Sequence, residues 1–366
     1  MTNLKKLGLS ALAGSLVAVS AQAGEIAVTG SANVTYVTGE KVNGGKTIGT
    51  DRDVAFTGTG EMDNGWTFKV STLLTDAYSV SSSFTSLTMG SLGTVSFGTD
   101  TGGASYKYDE EVPQAYEQIS DAVQTSANIV GNQMDSNSIV YNSPSFDIAG
   151  ASLSLDAEFS PNANGAGAGD GATTTKVSAY DSATDGFGGN FGKGYGLGAT
   201  IKYAGLTAGA YGSERENRDP ATGASAVRDA FEGVWYAKYS VGPIAFGYSE
   251  SYLDSGLVGT VTTAATAKTP RVNEGIFEGE QFSVAFNVNE NLSISYTSSS
   301  DVYDDQSNVK GGTEIADVSM DTKAIQIAYS MGAMSVKAYN MDTKNPGYDD
   351  DAADTSITEI ALGLAF

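Results

Sequence analysis

Apolar and polar residues alternate along most of the chain in short runs. Trp66, Phe68 and Val70 alternate with Thr67, Lys69 and Ser71. Phe282, Val284, Phe286 and Val288 alternate with Ser283, Ala285 and Asn287, and Leu153, Leu155, Ala157 and Phe159 with Ser154, Asp156 and Glu158. Ile360, Leu362, Leu364 and Phe366 end the sequence in the same rhythm. Successive side chains of a strand point to opposite faces, so this period predicts strands with one apolar and one polar face. About sixteen such segments follow from the pattern. They lie near 25–38, 52–62, 66–75, 82–90, 94–99, 137–143, 151–159, 194–203, 206–213, 231–240, 243–252, 279–288, 291–299, 321–331, 334–341 and 355–366.

The connections alternate in length. Tight ones are Asp63-Asn64-Gly65, Ser91-Leu92-Gly93, Ala204-Gly205, Gly242-Pro243, Asn289-Glu290 and Gly332-Ala333, with a longer turn from Pro144 to Gly150. Between them run longer polar stretches near 39–51, 100–136, 160–193, 214–230, 253–278, 300–320 and 342–354, and a short one near 76–81. All 7 prolines fall in these loops or turns, as residues that cannot donate to a ladder must. Short turns on one side and long loops on the other predict an all-β fold, a closed transmembrane antiparallel β-barrel. A soluble sandwich would use fewer strands, roughly seven to nine, and no fixed short repeat points to a solenoid.

Lipid offers no hydrogen bonds, so a spanning sheet must close on itself. A barrel of about sixteen strands then leaves an aqueous lumen. Trp66, Phe68, Tyr203, Phe231, Trp235, Tyr239, Phe246, Tyr248, Phe282, Tyr296, Tyr329 and Phe366 suit aromatic girdles on the outside. By parity Lys69, Asp156, Glu158, Lys202, Lys238 and Lys337 point inward as pore-wall residues. Lys323 breaks the pattern, sharing parity with Ile325 and Ile327, and is expected to snorkel from a strand end.

The ends and the composition narrow the function. Lys5 and Lys6, the apolar stretch Leu7 to Ser20 and Ala21-Gln22-Ala23 read as a secretory signal over 1–23, with a single barrel domain over 24–366. That stretch is shorter than the ~20 residues a spanning helix needs. Removing Lys5 and Lys6 leaves 18 basic residues against 43 acidic ones, a net charge of −25. Such an excess disfavours nucleic acid, whose phosphates need basic partners. Cys and His are both absent, which excludes disulfides, thiol nucleophiles, imidazole metal sites and His-based triads. The pair Asp156 and Glu158 has only the spacing of any two inward residues, so no enzyme is indicated. No cofactor or metal site is predicted. Calcium, or divalent-bridged lipopolysaccharide, could still neutralise acidic runs such as Asp301 with Asp304-Asp305, or Asp349-Asp350-Asp351.

With its export signal, the first strand Gly24 to Ser31, the hairpin Phe56 to Val70 around Asn64-Gly65, the run Gly93 to Thr99 and the terminal Phe366, the chain resembles the trimeric Gram-negative general porins, especially their α-proteobacterial branch. The resemblance implies an outer-membrane homotrimer amid lipid and lipopolysaccharide. It implies a third loop, near 100–136, that bends at Gly102-Gly103 into the barrel and narrows the pore. Asp109, Glu110, Glu111, Glu117 and Asp121 would be its constriction acids, facing wall partners drawn from Lys69, Lys202, Lys238 and Lys337. Phe366, with Leu364, Leu362 and Ile360, would be the signal read by the barrel-assembly machinery. The expected function is passive diffusion of small hydrophilic solutes through a cation-preferring channel. Two alternatives stay open. One is a substrate-specific channel with Tyr106, Tyr108 and Tyr116 as stacking surfaces, the other a surface barrel without a pore.

Overall fold

The computed structural model describes residues 24–39, 46–75, 80–99, 104, 107–121, 125–126, 134, 138–161, 163, 191–217, 229–254, 256, 275–304 and 316–366. Seventeen strand segments follow one another: β1 (Ile26–Gly39), β2 (Lys46–Glu61), β3 (Thr67–Leu74), β4 (Val80–Thr88), β5 (Thr94–Thr99), β6 (Ser138–Asn142), β7 (Phe146–Ile148), β8 (Ala151–Ser160), β9 (Phe191–Tyr203), β10 (Leu206–Asn217), β11 (Ala230–Val241), β12 (Ile244–Asp254), β13 (Ile276–Asn287), β14 (Leu292–Asp304), β15 (Val318–Met331), β16 (Met334–Lys344) and β17 (Thr355–Ala365). Neighbours pair antiparallel around a ring, and β17 closes onto β1. Every one of the sixteen expected strands is present. The expected signal over 1–23 lies outside the described residues.

One segment went unforeseen. Both β6 and β7 pair with β8, so the two form one stave and the barrel has sixteen. Asn142 lies opposite Asp156 and Phe146 opposite Leu153, so one strand advances four residues while its partner advances three. This is a one-residue bulge at Pro144, which has no N–H for the ladder. Ser143 fills the gap: its N–H donates to the Leu155 carbonyl at 2.8 Å, and its Oγ accepts from the Leu155 N–H at 2.8 Å. The bulge flips parity, so Ile139 before it and Phe146 and Ile148 after it all face outward. The turn expected over Pro144 to Gly150 therefore shrinks to Ala149-Gly150.

Outward positions carry Phe68, Tyr203, Phe231, Trp235, Tyr239, Phe246, Phe282 and Tyr329, all exposed to the surroundings of the barrel. Lys323 does face outward, but as the sixth residue of β15, which begins at Val318 and not near 321. It sits directly opposite Asp342 on β16, so a cross-strand acid accompanies it. Several strands also run further out than expected. β2 begins at Lys46, β10 ends at Asn217 and β14 at Asp304.

The seam is closed by the last residue. The Gly30 N–H donates to the Phe366 carbonyl at 2.8 Å, and the Phe366 N–H to the Gly30 carbonyl at 2.9 Å. The Phe366 ring lies over Gly30, where a Cβ would come within 2.5 Å of it. An aromatic laid across a glycine covers backbone that would otherwise meet lipid.

Candidate pore constriction

The described residues between β5 and β6 lie inside the barrel, along its inner wall. Its described residues touch that wall in sequence. The Ala104 N–H donates to Glu158 on β8 at 3.1 Å. Asp156, two residues earlier on β8, accepts from the Lys107 Nζ at 2.6 Å, the Tyr108 hydroxyl at 2.7 Å and the Asn142 amide at 2.6 Å. Glu111 pairs with Lys238 on β11. The Pro113 carbonyl accepts from Ser283 on β13, and the Ala115 N–H donates to Ser295 on β14 at 2.9 Å. Gln326 on β15 accepts from the Tyr116 N–H at 2.8 Å and donates to the Glu117 carbonyl at 2.6 Å. The Tyr116 hydroxyl reaches Glu359 on β17 at 2.6 Å.

The chain then turns back. Ile119 packs with Ala324, Tyr339 and Met341. Ser126 donates its N–H and its hydroxyl to Asp301 on β14, each at 2.6 Å, and its Oγ lies 2.7 Å from that of Ser251 on β12. Tyr348 completes the shell of Asp301, donating at 3.1 Å. Because the chain has no cysteine, a Ser126→Cys/Ser251→Cys pair tests this seat cleanly. The expected result is ready oxidation to a disulfide with unchanged single-channel conductance. A pair that stays reduced would show that the loop does not rest there.

Glycines on the inner parity make the close approach possible. A Cβ at Gly198 would overlap the Tyr108 ring, one at Gly247 would overlap Pro113, and one at Gly279 would overlap Ser126. Glycine inside a strand often marks a site where another backbone comes close.

The expected site residues separate into groups. Asp156 and Glu158, expected to line the pore, lie beneath the loop, 3% and 4% exposed, and hold it. Asp109 and Glu110 turn to the wall, 7% and 3% exposed. Glu110 accepts from Gln281 at 2.9 Å and from Ser120. Burial first, then the charges of Glu110 and Glu111, push the Asp109 carboxyl up to about 9. The shift favours the protonated form of Asp109 and reduces the charge it brings to the pore. Burial likewise raises Glu110. Glu111 and Glu117 keep partial exposure, and Asp121 ends the 3-10 turn Ile119–Asp121.

Among the wall lysines, Lys238 meets Glu111. The Lys337 Nζ sits 4.9 Å from the centre of the Tyr116 ring, a cation–π arrangement. Lys202 is next to the Ala204-Gly205 turn, opposite Ser152 and Thr207. Lys69 is on β3, 5.2 Å from the Phe84 ring centre. Gly102-Gly103 lies outside the described residues. The wall anchors Gln281, Ser295, Gln326, Asp301 and Glu359 were not anticipated; the inward glycines were the one sequence signal for them.

A family model described as Gram-negative porin matches residues 8–364. The chain belongs to the Gram-negative porins. It is an outer-membrane channel that spans the membrane with its strands, and it is not an enzyme. Among solved structures, OmpF of Salmonella typhi is similar at a TM-score of 0.66 and 12% identity, covering 94% of this chain and 98% of that one. An anion-selective porin from Comamonas acidovorans gives 0.62 and 13%, covering 94% and 100%. A loop L8 deletion mutant of OmpT from Vibrio cholerae gives 0.62 and 12%, with the same coverage. At such identities the likeness is one of fold. No curated protein sequence matches the chain. Among the described residues of this porin, no group of three or more Asp or Glu is arranged to hold a metal ion.

Proposed function

We propose that this porin is a cation-preferring general-diffusion channel for small hydrophilic solutes, working as a homotrimer. The fold alone does not choose the sign of the ion, since the Comamonas porin shares it and is described as anion-selective; selectivity belongs to the side chains. The observation that carries the reading is where the charges sit. Lys107 and Lys238 are paired with Asp156 and Glu111, while Glu117 is partly exposed on the loop and Asp51 on β2 is exposed. Rings of acidic side chains favour cations. The zero-current potential in a planar bilayer under a KCl gradient tests this, with cation preference expected; anion preference would overturn it. Simple diffusion is favoured over a substrate-specific path because Tyr108 is fully buried and Tyr116 is spent on Glu359 and Lys337. Tyr106 lies outside the described residues.

The oligomer is supported from the outer face. Arg52 is opposite Ala32 and shares parity with Phe56 and Ile48, so it points outward from the middle of β2. A cation facing lipid costs up to ~2–4 kcal/mol, less toward the interfaces. A second copy covering this face removes that cost, and OmpT of Vibrio cholerae is described in a trimer form. Arg52→Leu distinguishes the two surroundings. The expected result is a lower temperature for loss of the oligomer band in detergent gels; an oligomer of equal or greater heat stability would place Arg52 against lipid. In this reading residues 1–23 direct export, Phe366 is the assembly signal, and lipopolysaccharide surrounds the trimer.

A further inference from the structure

The charges of the inserted loop and their partners of opposite sign lie on the same arc of the wall. Through its hydrogen bonds and ion pair, the inserted loop follows the arc from β8 to β17. The acids Glu111 and Glu117 are on that loop, and the lysines nearest to them, Lys238 and Lys337, rise from the wall immediately behind it. Lys107 belongs to the loop itself and returns to Asp156. Each pair forms a short dipole against one side of the pore.

The remaining arc, β1 to β5, is what the loop faces across the water. Among its described residues three are basic: Lys46, Arg52 and Lys69. Lys46 and Arg52 share the outward parity of Ile48 and Phe56. Lys69 alone points into the lumen, one strand away from Asp51 and Asp53, which face inward opposite Asn33 and Ser31. Much of the rest of this surface is hydroxylic, as where Thr57 and Ser71 meet at 3.1 Å. Among the described inward residues acids outnumber bases on both sides of the water: Glu111, Glu117, Asp156, Glu158, Glu232, Asp301 and Glu359 against Lys107, Lys202, Arg215, Lys238 and Lys337 on one side, and Asp51 and Asp53 against Lys69 on the other.

We infer that this pore carries a net negative potential without a transverse field, and that it passes zwitterions as readily as neutral solutes of the same size. A field across a pore requires rows of opposite sign on facing walls. It would orient a dipolar solute and reward or penalise its passage, whereas like-signed walls attract cations and leave a zwitterion's two ends balanced. The inference rests on the open-channel reading and specifies its solutes: cations ahead, neutral sugars and zwitterionic amino acids level, anions behind.

Liposome swelling with a neutral pentose and with zwitterionic glutamine, solutes of similar mass, tests it on the whole protein. The comparison variant is Thr57→Arg/Ser71→Arg, which builds a basic row facing the loop; its folding is checked by heat-modifiable migration. The expected result is equal swelling rates for the wild type, to within a factor of about two, and rates that diverge several-fold in the variant. A wild type that separates the two solutes as strongly as the variant overturns the inference and leaves the channel reading intact. A variant that treats both alike also overturns it, because a field then has no hold on these solutes. No swelling with the pentose overturns the channel reading itself, and the inference with it.

Discussion

Valine at both Gly198 and Gly247 lowers the single-channel conductance to about half or less, since a constricted path conducts according to its remaining width. The sign follows from which side is closed. The loop already touches the wall at these glycines, where a Cβ would overlap Tyr108 and Pro113. Tyr108 is fully buried beside Tyr211, with ring centres 5.5 Å apart, so it has no room to retreat sideways. The strands cannot yield, because each is held by a ladder on both sides. The loop must therefore move toward the water. Conductance in KCl is the measurement, with trimer migration as the folding check. An unchanged or larger conductance would mean that the loop leaves the wall altogether or never rested on it. Alanine at the same positions should give a smaller drop of the same sign.

Phe366→Ser reduces folded porin in the outer membrane to a small fraction of the wild-type amount, with a milder loss when the purified chain is refolded in detergent. Two effects combine. One is structural: the ring covers Gly30, and the backbone bonds between Phe366 and Gly30 end the seam. The other is the proposed recognition of the terminal strand during assembly. Gly30→Val separates them. It dislodges the ring while leaving the terminal residue in place, so it should lower refolding in detergent about as much as Phe366→Ser does and lower cellular assembly less. Equal losses for both variants in both assays would reduce Phe366 to a packing residue.

The strand plan was readable because lipid imposes a simple rule. Every second residue must be apolar, and the period shows it in β3, β8, β13 and β17. The rule stops at the membrane boundary, and there the reading erred. The outward row Trp235, Glu250, Glu280, Ser300, Asp321 and Lys344 runs in register across six strands. Beyond it acids such as Glu278 and Asp304 sit on the outer face and apolar Leu253, Phe277 and Tyr303 cluster on the inner one, so the outer end of β14 looked like loop although Asp301 to Asp304 are paired strand. Asp301, one of the acids named with calcium, is the buried acceptor for Ser126 and Tyr348. The three residues of β7 were too few to show a period, and Pro144 before them reads as a breaker.

The constriction was legible only as a stretch of acids between two strands. Which acids see water depended on partners remote in the chain: Tyr116 meets Glu359 and Glu110 meets Gln281 across most of the barrel's circumference. No local pattern encodes such meetings. They arise because sixteen locally determined strands close into a ring, and the ring brings β8, β11, β13, β15 and β17 around one inserted segment. The alternation of side chains by itself determined the barrel, its inside and its outside, since lipid and water act on each strand separately. The raised pKa of Asp109, the burial of Asp156 and Glu158, and the seating of the loop in its glycine notches were decided only by closure, because desolvation and contact depend on what the far strands place opposite.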